Sequence, residues 1–206
     1  MWGDFLNTEC AHYAKIVETF KQHTNFGIPA SIIKNARGVA ILSVTKAGML
    51  VSARHGNGCV LARLPDGSWS APSAIHTSGL GAGHQLGIET TDMVIALMTD
   101  SALEAFAKGC NFSVGGNMSI AVGPLGRSAE VNATVKSFAP IYSYSHSKGL
   151  FVGVSVELTT ITERVDVNAA AYGAGIHSGP LLKGDVARPA AVAPLYSALG
   201  QLESEE

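Results

Sequence analysis

Histidine and cysteine are the side chains in this sequence best suited to catalysis or metal binding. The seven histidines, at positions 12, 23, 55, 76, 84, 146 and 177, form no HExxH motif and no pair four residues apart. Cys10, Cys59 and Cys110 form no CxxC pair. The spacing predicts no metal site and nominates no Ser–His–Asp triad, although such partners can lie far apart in sequence. We therefore expect a protein that is not an enzyme and has no cofactor.

A glycine-dense segment, Gly79 to Gly87, superficially resembles a dinucleotide-binding fingerprint. It reads GxGxxxG from Gly81 rather than GxGxxG, and the preceding SAPSAIHTS is typical of a turn. We expect residues 79–88 to form a loop, and an enzyme that binds a nucleotide there is the weakest of the hypotheses. The sequence also has no Walker A motif and no complete nucleophile elbow.

Composition favours one compact, strand-rich domain in a reducing compartment. The 206 residues are 47% hydrophobic and 15% charged, with 23 glycines for tight turns. The odd cysteine count argues against a disulfide framework. The N-terminal residues lack signal-peptide features, and no apolar run approaches the roughly 20 residues of a spanning helix. We expect a cytoplasmic protein whose membrane contact, if any, is peripheral.

The charge is unevenly distributed along the chain. Residues 1–63 contain seven Lys/Arg and three Asp/Glu, a net charge of +4, whereas residues 64–206 contain seven and thirteen, a net charge of −6. The total of −2 gives no reason to expect nucleic acid. The basic first third could orient the molecule towards an anionic surface.

The N-terminal segment, residues 1–22, has the apolar spacing of an amphipathic helix. A break at Asn7-Thr8 is expected, with Thr8 as a cap. For residues 8–22 we favour a helix that packs on the core. Trp2, Phe5 and Leu6 instead resemble an interfacial membrane anchor, because they are apolar and have few charged neighbours.

The remaining pattern predicts an α+β fold. Residues 38–69 alternate β-branched runs with glycine turns and predict an antiparallel, barrel-like meander. Further strands are expected at 93–98, 129–136, 141–144 and 150–158, with a turn at 146–149. Short helices are expected at 28–38, after Asp166 and at 192–199. Another is expected where Thr99-Asp100-Ser101 forms a cap, with Ser101 and Glu104 at capping-box spacing.

The meander also makes a prediction about the basic residues. If 38–45 runs one way and 49–54 returns, then Lys34, Arg37, Arg54 and His55 lie at one end of the sheet, and Lys46 and Asp66 at the other. The cluster is either an ordinary solvated rim or a site for anionic lipid, since each Lys or Arg contributes about 1 kcal/mol near an anionic leaflet.

Several stretches together resemble the SYLF domain, the lipid-binding domain of the yeast actin-patch protein and its SH3-containing animal relatives. The resemblance runs from Glu9 to Tyr196 and is carried by ARGVAILSVTKAG (36–48), VLARLPDGSWSAPSAI (60–75), GLGAGHQLGIE (79–89), AVGPLGR (121–127), YSYSHSKGLFVGVSVE (142–157) and ERVDVNAAAYG (163–173).

The resemblance implies a non-enzymatic phosphoinositide-binding module linked to actin-based endocytosis or membrane ruffling, peripheral at the plasma or endosomal membrane. We expect residues 1–206 to act as one such domain without an SH3 module of its own. In this hypothesis Trp2, Phe5 and Leu6 insert, and the basic residues Lys15, Lys21, Lys34, Arg37 and Arg54 contact phosphates. The alternative is a scaffold that binds actin filaments and contacts lipid only incidentally.

Overall fold

The structure is a computed structural model that describes residues 4–22, 27–107, 111–134 and 141–204, with side chains described except at 22, 111–134 and 151–155. A π-helical turn, Phe5–Glu9, leads into the first α-helix. The helices are α1 (Cys10–Gln22), α2 (Ala30–Asn35), α3 (Asp100–Ala107), α4 (Val165–Tyr172), α5 (Ser178–Lys183) and α6 (Ala193–Glu203). The strands are β1 (Gly38–Ala62), β2 (Ser73–Leu97), β3 (Asn111–Thr134) and β4 (Ile141–Glu163).

These four strands form one antiparallel sheet in the order β1-β2-β4-β3. β1 doubles back at Leu50, whose φ of 63° lies in the left-handed region. β2 pairs along both arms of β1, residues 86–97 with 38–49 and residues 73–82 with 51–60. β4 then follows β2 in unbroken register. The middle parts of all three strands therefore lie at the same end of the sheet.

Two glycines allow the arms of β1 to lie close together. A Cβ on Gly58 would collide with the carbonyl oxygen of Ile41, and one on Gly56 would collide with the backbone of Ser43 and Val44. Glycine is the residue that permits such a backbone approach.

At the other end, which we call the base, both faces of the sheet are covered by helices. On one face Ile41, Cys59 and Leu61 belong to a core with residues of α1 and α6. On the opposite face Leu42 and Val60 pack with residues of α3 and α5. Burial on both faces explains the continuous apolar runs at the ends of β1, because neither face meets water.

The predicted α+β class is confirmed, as are helices at each of the four internal positions and the reversal of β1. One of the two predicted helix caps differs from expectation. Asp4, rather than Thr8, accepts a hydrogen bond from the Asn7 amide at the first helical turn. At α3 the Thr99 hydroxyl accepts from the amide of Ala102, which agrees with the predicted cap at Thr99-Asp100-Ser101. A strand covers the predicted stretch 129–136 as far as Thr134, and the last two residues lie outside the described ranges.

Two predictions about loops are wrong. Residues 79–88 form the middle of β2, where pairing on both sides supplies the backbone hydrogen bonds that a loop would obtain from water. Residues 146–149 make no turn, because β4 stays paired with β2 through them. No helix within the described residues is long and apolar enough to cross a membrane.

Candidate functional site

The end of the sheet that carries the strand reversals exposes a continuous apolar surface, which we call the apolar tip. Its exposure is high, with Met49 68% and Leu150 74% accessible. Pairing aligns Ala47, Ile88 and Leu150 in one row across the sheet. The exposed apolar residues of the tip are Ala47, Met49, Leu50, Val51, Ala53, Leu80, Ala82, Leu86, Ile88, Leu150, Val156 and Leu158.

The inward face of the same strands is polar. Lys46 and Glu157 are each 3% exposed, and they form an ion pair in which the lysine Nζ contacts Oε1. The other carboxylate oxygen of Glu157 accepts a hydrogen bond from Arg54 Nη1 at 2.5 Å. We call Lys46, Arg54 and Glu157 the buried charge cluster. Side chains alternate between the faces of a strand, so a polar interior forces the apolar residues outward.

The glycine-dense segment makes the buried charge cluster possible. Gly81 lies between Ser52 of β1 and Glu157 of β4. A Cβ on Gly81 would lie 2.8 Å from the Ser52 Oγ and 3.0 Å from the Glu157 Cγ. The missing side chain leaves room for the carboxylate to reach across β2 to the cations of β1. Gly81 thus serves side-chain packing within a strand.

Three further buried side chains near the tip, Gln85, Thr91 and Ser147, also make hydrogen bonds. Gln85 donates to the Ser52 Oγ at 2.9 Å and to the Leu50 carbonyl at 3.3 Å. The hydroxyls of Thr91 and Ser147 lie 2.8 Å apart. Polar side chains are tolerated in a protein interior when they are hydrogen-bonded in this way.

Between the apolar tip and the base lies a cleft of about 430 Å³ at the junction of α1 with β1. We call it the histidine cleft. His55, which lines this cleft, also contacts His76, and their ring centroids are 4.6 Å apart. The pKa of His76 is lowered, chiefly by burial and then by the neighbouring His55. The residues that line the cleft include Glu9, His12, Ser43, Thr45, His55 and Asn57.

The proposed N-terminal anchor lies mainly in the core. Phe5 is 3% exposed and packs in the core shared with α1 and α6, and Leu6 is partly buried against the same core. Insertion of Phe5 into a membrane would require it to leave that core, so its predicted exposure is wrong. The physical reason is that the π-helical turn directs Phe5 inward. Trp2 lies outside the described residues.

The predicted basic cluster does not form as expected. The arms of β1 turn at Leu50, later than the predicted KAG turn, so the Arg37 carbonyl accepts from the amide of Arg63. Arg54 instead lies beside Lys46, and each contacts Glu157. The predicted proximity of Arg37 to Arg54, and the separation of Lys46 from Arg54, are therefore wrong.

The other proposed lipid contacts lie at the base, which is the helical end of the molecule. Lys15 and Lys34 are exposed, and Lys21 donates to Gln201 at 3.2 Å. Arg37 is 60% exposed and lies 3.6 Å from Asp100.

Arg63 is a residue that the sequence analysis missed. Its guanidinium donates to the Ile33 carbonyl and to Glu203, and it stacks 3.7 Å from the Trp69 ring. Lys46, Arg54 and Arg63 all form ion pairs. Part of the positive charge counted for residues 1–63 is therefore neutralised within the fold. Alternation of Lys46, Ser52 and Arg54 with apolar neighbours was a signal that could have revealed the inward polar face.

The described cysteines offer no reactive thiol. Burial, followed by the nearby Glu9 and Asp4, raises the pKa of Cys10 to about 12. Burial likewise raises the pKa of Cys59 well above its usual value. Thiols need a lowered pKa to act as nucleophiles at neutral pH. Among the described residues, no group of three or more His, Cys, Asp or Glu is placed to hold a metal ion.

The fold and the site define an α+β domain whose sheet presents an apolar tip, a surface of the kind used for binding. The sequence model of the Ysc84 family, described as "Las17-binding protein actin regulator", matches residues 78–202. The chain belongs to this family.

Similarity to individual proteins covers more of this chain than the range matched by the family model. SH3 domain-containing YSC84-like protein 1 of Bos taurus is 50% identical over 199 residues, which cover 94% of this chain and 58% of the relative. LAS seventeen-binding protein 3 of Saccharomyces cerevisiae is 45% identical over 201 residues, covering 94% and 44%. The chain thus spans about half the length of these curated relatives.

Among solved structures, the virulence-associated protein VapD of Rhodococcus equi gives a TM-score of 0.36 at 10% identity. The match covers 61% of this chain and 98% of VapD. A similarity this low supports no inference.

Proposed function

We propose that residues 1–206 act as one peripheral membrane-binding module that recognises phosphoinositide-containing membranes and links them to actin regulation. The apolar tip is the observation that carries this proposal. Burying one Leu, Ile or Val side chain contributes about 1.5–3 kcal/mol, so partial insertion of several would hold the domain on a bilayer. The membrane would be the plasma or endosomal membrane on its cytoplasmic side, as in endocytosis or ruffling.

Charge around the apolar tip favours an anionic lipid surface. His55, His84 and Lys148 are exposed on or beside the tip, and no exposed residue among 45–55, 80–88, 148–150 and 156–158 is an Asp or Glu. A lysine near the interface is attracted to anionic lipids, whereas a carboxylate there would be repelled. An inserted apolar end with a cation beside it and no exposed carboxylate is the arrangement of an interfacial protein.

The basic residues of the helical end would engage a membrane only in a different orientation. Arg37 and Leu50 are separated by thirteen residues of β1, about 40 Å along an extended strand. Lys15, Lys21, Lys34 and Arg37 therefore remain proposed phosphate contacts for an orientation in which the helices face the membrane. Arg54 is a weaker candidate, because it is bound in the buried charge cluster.

Vesicle sedimentation distinguishes the two orientations. The probe is phosphatidylcholine vesicles with a few per cent phosphoinositide at about 0.15 M salt. Val156→Asp should weaken binding at least about tenfold, because a carboxylate would enter the interface. Val165→Asp is the matched control, since Val165 is exposed at the start of α4 and an acidic residue is favourable there.

A second variant tests the helical end. Lys34→Glu/Arg37→Glu should leave sedimentation within about twofold of the unmodified chain if the tip faces the membrane. Loss of binding in this variant, with Val156→Asp unaffected, would overturn the assignment to the apolar tip.

The second candidate function is an actin-filament-binding scaffold. It is favoured by the family description, "Las17-binding protein actin regulator", and by the name of the yeast relative. Neither description names an enzyme, and we propose none for this chain. Co-sedimentation with filamentous actin tests the alternative: binding to filaments without binding to vesicles would favour the scaffold.

A further inference from the structure

The apolar tip carries little charge for the size of its apolar surface. Nine of its aliphatic side chains are between 49% and 74% exposed. Within residues 45–55, 80–88, 148–150 and 156–158, the one exposed Lys or Arg is Lys148. The carboxylate of Asp92 lies 3.5 Å from the Lys148 Nζ and offsets part of its charge. Insertion of the tip would therefore draw most of its energy from apolar burial.

The balance between apolar burial and charge decides which membranes the tip favours. Moving one large aliphatic side chain from water into hydrocarbon is worth more than the attraction of one exposed lysine to an anionic leaflet. The tip offers nine such side chains against one lysine. Its affinity for a bilayer should therefore depend more on how readily the lipids admit apolar side chains than on the charge of the headgroups.

The residues among these aliphatic side chains are small or carry hydroxyl groups. Gly79, Gly83 and Gly87 lie next to exposed positions of β2. Towards the base, Thr45 and Thr90 are opposite each other in the sheet, and their hydroxyl oxygens lie 3.1 Å apart. Glycine and threonine add no charge that could hold the domain on a tightly packed anionic surface.

The shape of the tip is set before it meets a membrane. Residues 80–82 and 86–88 of β2 pair with β1 on one side and with β4 on the other. Beneath them Glu157 contacts both Lys46 and Arg54. A peptide that folds at the interface can adapt its shape to the lipids, whereas this paired surface cannot spread out. Room for the tip must therefore come from the lipids, whose headgroups have to part.

We infer that the apolar tip recognises loosely packed lipid, as on strongly curved membranes, and discriminates membranes by lipid packing more than by headgroup charge. Gaps between headgroups expose hydrocarbon, so the tip enters such a leaflet at a lower cost. Interfacial segments whose binding depends on buried apolar area are sensitive to curvature and lipid composition. The inference rests on the proposed function, because it requires the tip to insert.

Vesicle flotation of the whole chain tests this inference without any substitution. The probes are dioleoyl phosphatidylcholine vesicles of about 30 nm and about 400 nm diameter, with and without a few per cent phosphoinositide, at equal accessible lipid. Binding should be at least about tenfold tighter to the small vesicles, and phosphoinositide should change it less than diameter does. Equal binding at both diameters, or binding that follows phosphoinositide content alone, would overturn the inference.

A second arm changes lipid packing at constant diameter. In the large vesicles, palmitoyl-oleoyl phosphatidylcholine packs more tightly than dioleoyl phosphatidylcholine, because only one of its chains is kinked. Binding should be several-fold tighter to the dioleoyl vesicles. Equal binding to both lipids would show that packing is not what the tip recognises.

Two exposed positions separate the apolar contribution from the charge. Leu86→Ser should weaken binding to the small vesicles at least about tenfold, because it removes one inserting side chain. Lys148→Gln is the matched variant on the neighbouring strand and should weaken binding at most about fivefold, even with phosphoinositide present. The reverse ranking would contradict the inference.

The proposed function and this inference can fail separately. Val156→Asp should lose binding to vesicles of both diameters, and Val165→Asp should keep the preference for small vesicles. If Val156→Asp loses binding but the unmodified chain binds both diameters equally, the membrane function stands and the packing inference fails. If Val156→Asp binds like the unmodified chain, the proposed function itself fails.

Discussion

The two ends of one sheet follow opposite rules of side-chain burial. At the base, apolar residues such as Ile41 and Leu42 face inward on both sides because helices cover both faces. At the tip, the inward positions hold Lys46 and Glu157, and the outward positions hold residues such as Met49. The same strands pass through both environments. An apolar surface can thus form on a sheet whose interior is filled by ion pairs and hydrogen-bonded polar side chains.

The largest expected effect comes from neutralising the carboxylate of the buried charge cluster. Glu157→Gln removes the negative charge that Lys46 and Arg54 both contact, and should lower the free energy of unfolding by about 3 kcal/mol. Glu203→Gln breaks the more accessible ion pair with Arg63 and should cost about 1 kcal/mol or less. Urea unfolding measures both. Equal losses would show that the tip's interior does not depend on its charges.

The second prediction concerns the close packing across β2. Gly81→Ala places a Cβ against Ser52 and Glu157 and should destabilise the fold by about 1–3 kcal/mol. Gly200→Ala in α6 meets no neighbouring atom and should stabilise by about 0.5–1 kcal/mol. Thermal unfolding should shift in opposite directions for the two variants. A gain in stability from Gly81→Ala would contradict the role assigned to this glycine.

The base could be predicted from the sequence far better than the tip. Apolar periodicity identified α1, and the Val192 to Leu199 pattern identified α6, because burial against a core is the rule behind such patterns. Near the tip the glycines at 79–87 suggested a loop, since no local signal shows that neighbouring strands will fill their space. The position of Arg54 was predicted wrongly because β1 turns two residues later than expected. That shift changes which residues of the two arms lie opposite each other.

The base should also show a pH signature from its buried thiols. The folded-state pKa of Cys10 is about 12, above its usual value, and that of Cys59 is raised as well. A raised folded pKa gives stability that is complete below the unfolded value near 9.0 and is lost as pH rises towards 12. We expect a fall in the denaturation midpoint above pH 9, smaller in Cys10→Ala.

Alkylation provides an independent check of the same thiols. In the native chain at pH 8, peptide mapping should find Cys10 and Cys59 unmodified, because both are buried and in the thiol form. Rapid modification of either would show that the core around α1 opens easily.

The smallest effect on folding is expected at the exposed basic residues of the helical end. Lys34→Glu/Arg37→Glu should change the free energy of unfolding by no more than about 0.5 kcal/mol, since Lys34 is exposed and the pair of Arg37 with Asp100 is solvated. This variant can therefore report on binding without a change in stability. A loss of several kcal/mol in urea would show that these cations serve the fold.

Direct measurement of membrane insertion tests the central claim about the apolar tip. An NBD fluorophore is attached at Leu86→Cys or, as control, at Val165→Cys, in a chain carrying Cys110→Ser. On addition of phosphoinositide vesicles, NBD at position 86 should become brighter and blue-shifted, and nitroxide-labelled lipids should quench it, while NBD at position 165 should not change. An unchanged signal at position 86, with insertion reported from position 165, would contradict the claim that the tip enters the membrane.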